Sequence, residues 1–120
     1  MIALPTTKRA ESMVHDDGED YEARFAALAN EFARTLPGKH AALAAEWNDW
    51  RRGNPEARAR LQAMVHRLGG AADNYGYVAV GEAARRLDAL LIPRLGALPD
   101  AVEPALAALL HAFGLPPEPI

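Results

Sequence analysis

The sequence predicts an all-α protein, an antiparallel four-helix bundle behind a flexible N-terminal tail. Three observations predict it. Alanine, the strongest helix former, supplies 26 of 120 residues. Apolar residues recur at spacings of three and four with few segments that alternate with period two. β-Branched residues, which favour strands, are sparse. The length is that of one domain, large enough to bury a core without disulfide or metal staples.

Residues 1–18 read as a mobile tail, 19–115 as the bundle and 116–120 as a proline-rich tail that cannot continue a helix. The first helical segment, "DYEARFAALANEFARTLPGKHAALAAEWNDWRR", runs from Asp20 to Arg52. It sets Phe25, Leu28, Phe32, Leu36, Leu43, Trp47 and Trp50 at helical spacing. Pro37-Gly38 either breaks or kinks it. Trp47 and Trp50 are assigned to packing rather than to ligand stacking. Asn54 is a good N-cap and Pro55 occupies the favoured first helical position, which opens a helix that stops near Tyr75 with Gly76 at C′. A third helix, "YVAVGEAARRLDALL", places Val80, Ala84, Leu87 and Leu91 on one stripe. The last begins at Asp100, whose spacing to Glu103 resembles a capping box, and carries Leu106, Leu109, Leu110 and Phe113. Short connections favour antiparallel neighbours.

Composition excludes several function classes. There is no cysteine, hence no disulfide, thiolate metal site or thiol nucleophile. A net charge of −3 argues against nucleic acid as partner. The N-terminal segment lacks the apolar core of a signal peptide and no run reaches the roughly 20 apolar residues that span a bilayer, so the expected location is cytoplasmic, with no membrane partner. Acidic residues crowd 16–22, whereas "RRGNPEARAR" (51–60) and Arg67 form a locally basic patch suited to an acidic partner. P-loop, nucleophile-elbow and kinase ATP motifs are missing, which argues against autonomous catalysis. His15, His40, His66 and His111 show no ligand spacing, and no metal is expected.

The informative stretch is "HRLGGAADNYG", residues 66–76. Two glycines in a helix interior cost about 2 kcal/mol together relative to alanine, a sizeable part of a stability of about 5–15 kcal/mol. At 100° per residue, Leu61, Val65, Leu68 and Ala72 form the core stripe, flanked by Met64 and Tyr75, while His66 stands about 100° around from Val65, at the core boundary or in solvent. Gly69 and Gly70 lie one turn on, where two missing side chains clear space for a flat partner over the imidazole.

These residues resemble the histidine-containing phosphotransfer domain of bacterial phosphorelays. Its motif, histidine-x-leucine-lysine-glycine followed by two small residues and, four positions later, a glycine, is matched by His66, Leu68, Gly70, Ala71, Ala72, Tyr75 and Gly76. It is broken at Gly69, where the family has lysine. The flanking "LPGKHAALAA", "GNPEA" and "GEAARRLDAL" are similar to the family layout, over about residues 20–113. The resemblance implies that His66 accepts a phosphoryl group on Nε2 from a receiver-domain aspartate and passes it to another receiver. Neutral imidazole is a competent nucleophile near pH 7. Gln62, one turn back, is the candidate holder of Nδ1, and Arg67, Gly69, Gly70 and Asp73 complete the implied phosphohistidine environment and docking surface. Lys39, Arg85 and Arg86 are further cations that could stand in for the family lysine. The implied partners are response-regulator receiver domains or a hybrid histidine kinase, with Mg2+ on the receiver and no cofactor on this chain. The alternative reading is a degenerate adaptor that binds a receiver or kinase without carrying phosphate.

Overall fold

The computed structural model describes the backbone of residues 3–118 and the side chains of residues 20–118. Four α-helices follow one another: α1 (Ala3–Arg51), α2 (Pro55–Asn74), α3 (Val78–Leu90) and α4 (Pro99–Ala112), with a single 3-10 turn at Pro93–Leu95 before α4. No strand occurs among the described residues. The chain forms two compact units, one ending at Arg34 and the other beginning at Thr35.

The first unit is the N-terminal part of α1. Residues 3–18, read from the sequence as a tail, have helical backbone; Pro5 falls in the first turn, where its missing N–H has no intrahelical bond to make. Phe32 is buried, but Leu28, expected on the same apolar face, is 55% exposed. Helical spacing marks a face for burial only where another element covers it, and this unit contains no second element among the described residues.

The second unit holds the rest of α1 and the other three helices. Pro37 lies inside α1, which continues past it. An interior proline costs about 3 kcal/mol; Leu36, Leu43, Trp47 and Trp50, all buried, recur at spacings of seven, four and three and offset that loss. The Trp47 and Trp50 rings meet edge-on at 5.8 Å, so both belong to the core.

Helix punctuation follows the sequence closely around α2. The Asn54 carboxamide oxygen accepts from the Glu56 N–H at 3.1 Å, with Pro55 opening the helix. At the other end Gly76 has φ +84°. Tyr77 N–H bonds to Ala72 O at 3.0 Å and Gly76 N–H to Asp73 O at 3.3 Å, the paired bonds of a Schellman motif. The α4 start differs from expectation. The N-cap is Leu98 with no side-chain cap bond, so Asp100 and Glu103 form no capping box. Pro99 presets the helical φ one residue earlier, and the first turn closes through Ala101 N–H to Leu98 O at 3.0 Å. Asp100 stays in that turn, where its charge suits the helix dipole.

The α2 stripe Leu61, Val65, Leu68 and Ala72 meets Val80, Ala84 and Leu87 of α3 and Leu91 at its C-cap; all eight are buried, as are Leu106 and Leu109 on α4. Three arginines of the basic stretch 51–60 make contacts within the chain, although Arg51, Arg52 and Arg60 remain exposed. Arg60 pairs with Glu46 at 2.7 Å and Asp49 at 3.9 Å, Arg51 lies over Trp47 and Arg58 over Trp50. Arg58 also donates to Leu91 O at 2.5 Å, placing a cation on the carbonyl end of α3 and fixing that end against α2. Beyond α4, Glu118 N–H bonds to Gly76 O at 2.8 Å, so the proline-rich tail meets the α2–α3 turn.

Candidate functional site

His66 projects from α2 one residue beyond the core stripe, its side chain 76% exposed. Its Nδ1 lies 2.9 Å from Oδ2 of Asp88, on α3. An ionised carboxylate can only accept, so in the neutral ring Nδ1 carries the proton and Nε2 keeps its lone pair. The structure thus gives Nδ1 a partner other than Gln62. Gln62 is half-buried and shares with His66 and Asp88 an adjoining depression that also takes in Ala59, Ala63 and Ile92.

The register of α2 and α3 explains the meeting. A three-residue turn joins them, and His66 faces Asp88, Gly69 faces Ala84 and Arg85, and Asp73 faces Gly81. These positions step by three and four along each helix in opposite directions, as the facing rows of an antiparallel pair must. One depression of about 320 Å³ collects His66, Gly69, Gly70, Asp73, Arg85 and Asp88. Within it Arg85 Nη1 donates to Asp73 Oδ2 at 2.5 Å. Gly81 makes that pair possible, since a Cβ there would collide with the Asp73 carboxylate.

The two adjacent glycines differ. Gly69 is buried, and a Cβ on it would stand 3.6 Å from Arg85 Cγ and 3.7 Å from Ala84 Cβ, ordinary contact distances. It lies in the α2–α3 interface, where an alanine would also fit, and is not the open space above the imidazole that the sequence predicts. Gly70 is exposed and a Cβ there would meet nothing within 4 Å. Only Gly70 leaves open surface beside His66. Arg67 sits elsewhere: with Lys39, Leu43, Met64, Leu68 and Ala71 it lines a separate groove between α1 and α2.

Asp88 and Arg85 complete the depression, and no motif in the sequence marks Asp88. The available signal was their three-residue spacing on α3, off the stripe of Val80, Ala84, Leu87 and Leu91. Among the described residues no three His, Cys, Asp or Glu side chains gather as metal ligands; His40 instead packs edge-on against Phe113 at 5.4 Å, and the His15 side chain lies outside the described residues. No helix among the described residues is long and apolar enough to cross a membrane.

Residues 19–114 match the family model of the Hpt domain, a span that contains His66 and every residue of its depression. No curated protein and no solved structure matches the chain.

Proposed function

Since the chain belongs to the Hpt domain family, whose members serve phosphotransfer in two-component systems, we propose that His66 is its phosphoacceptor, taking a phosphoryl group from the aspartate of one receiver domain and giving it to another. The observation that carries this reading is the pairing of His66 with Asp88. It directs a lone pair at Nε2 outward from a ring that is 76% exposed.

In the transfer, the Nε2 lone pair forms a bond to phosphorus as the acyl phosphate P–O bond breaks, and the receiver's carboxylate leaves with the electron pair. The proton on Nδ1 stays, so the ring acquires positive charge. The Asp88 carboxylate faces that charge, the role an aspartate plays toward an imidazolium in other catalytic sites. Reversing the same steps hands the phosphoryl group on. Mg2+ belongs to the receiver, which supplies most of the charge stabilisation that phosphoryl transfer requires.

The second reading, an adaptor that binds receivers without carrying phosphate, draws on Gly69, where the resembling motif has lysine. One experiment separates the two. The chain is incubated with a panel of phosphorylated receiver domains and assayed for acid-labile, base-stable phosphate. Label that disappears with His66→Gln supports phosphotransfer, and receiver binding without label supports the adaptor.

A further inference from the structure

We infer that Arg85 is the residue that holds the phosphoryl group once it is on His66, exchanging its present partner Asp73 for the phosphoryl oxygens. The inference rests on the phosphotransfer reading of His66.

The charge balance of the depression asks for such a residue. A phosphoryl group on Nε2 brings roughly two negative charges to a depression already lined by the carboxylates of Asp73 and Asp88; among its lining residues Arg85 is the one permanent cation. Arg85 and Asp88 lie three residues apart on α3, so the Arg85 backbone stands one turn from the residue whose carboxylate touches His66, with its guanidinium at present on Asp73. The Arg85 stem runs beside Gly69, where no side chain obstructs it. The stem can therefore stay in place while the head moves.

The resting pair is also suited to exchange. Arg85 and Asp73 are 52% and 43% exposed, and exposed ion pairs are weak. A phosphoryl dianion offers more charge than the single carboxylate, and oxygens spaced for the planar fork of a guanidinium. Arg85 moves no proton in this step; it neutralises charge. Asp73 parks the guanidinium beside the site while His66 is unmodified.

The test uses the intact chain and phosphoramidate as donor, with no protein partner present. The Nε2 lone pair attacks phosphorus, the N–P bond to His66 forms, the donor's P–N bond breaks and ammonia leaves with its electron pair. At a fixed ratio of phosphoramidate to ammonia, 31P NMR reads the ratio of phosphorylated to free His66, with His66→Gln as the blank. Arg85→Ala should lower that ratio by up to about fivefold, the upper end of what an exposed ion pair supplies. Arg85→Lys should retain part of it, and Asp73→Asn, which frees the guanidinium and removes a repelling charge, should raise it. A role in docking alone would leave all three ratios at the wild-type value, because no receiver is present, and that result overturns the inference. Should Arg85→Ala fail to fold, unchanged ratios in Arg85→Lys and Asp73→Asn overturn it equally. Absence of label on wild-type His66 is a distinct result: it removes the phosphotransfer reading and this inference with it.

Discussion

Oδ2 of Asp88 stands 2.9 Å from Nδ1 of His66, across the interface of two helices whose sequence positions differ by 22. Asp88→Asn keeps the shape of the side chain and removes its charge. It should slow labelling of His66 by about tenfold, well short of the roughly 10⁴-fold loss for the equivalent change in a buried triad, because water screens a ring that is 76% exposed. Single-turnover transfer from a phosphorylated receiver measures the rate, and 15N spectra of the imidazole report the tautomer. An unchanged rate together with an unchanged Nδ1–H tautomer would remove Asp88 from the mechanism.

His66→Gln should abolish labelling and leave the fold intact. The side chain is exposed and lies off the buried stripe, and such substitutions usually change stability by less than about 0.5 kcal/mol. Thermal melts and phosphate incorporation are measured on the same samples. Label remaining on the variant would place the acceptor elsewhere.

The two glycines should respond differently to substitution. Gly70→Ala, with nothing within 4 Å of its new Cβ, should stabilise the protein by up to about 1 kcal/mol and leave transfer near the wild-type rate. Gly70→Leu should block transfer from a receiver without unfolding the chain, because the added side chain stands on the open surface beside His66. Gly69→Ala should also stabilise, since its Cβ would make ordinary contacts with Ala84 and Arg85. Gly69→Lys should disturb Arg85, whose stem lies where the new side chain must run. Melting curves paired with transfer rates check all four; normal transfer by Gly70→Leu would show that the open surface is not used for docking.

Gly81→Ala forces the Asp73 carboxylate to move and so breaks its pair with Arg85. The melting temperature should change little, because a gain in helix propensity of up to about 1 kcal/mol is offset by the loss of an exposed pair worth about 0.2–1 kcal/mol. An Arg85 Nε–H resonance that shifts while the melt stays put would agree with this, and a melt lowered by more than about 2 kcal/mol would show Gly81 to be a packing requirement instead.

Much of the second unit is legible in the sequence because it is written in local signals. Asn54-Pro55 and Gly76 bracket α2 by capping chemistry, and the periods of Leu61, Val65, Leu68 and Ala72 mark its buried face, which by subtraction puts His66 outside. What could not be read depends on a second element. Leu28 has the right spacing for burial but no helix within its unit to cover it. Arg58 and Arg60 find Leu91 O, Trp50, Glu46 and Asp49 on other elements, contacts that their own helix does not encode. Helical spacing offers Nδ1 a partner one turn back, at Gln62, whereas its partner is Asp88 on α3. Choosing Asp88 from sequence would have required the register of α2 against α3, which no single helix encodes.

That register starts at the Schellman turn at Tyr75–Tyr77 and is held by the buried stripes of α2 and α3, so the residue count along α3 decides what stands beside His66. One residue inserted within α3 between Val80 and Arg85 would rotate Arg85 and Asp88 by about 100° relative to the start of the helix, carrying them away from His66 even though every one of these side chains remained in the sequence. Chains that keep the histidine motif but differ in the number of helical residues ahead of the Asp88 position should therefore draw the partner of their imidazole from another position.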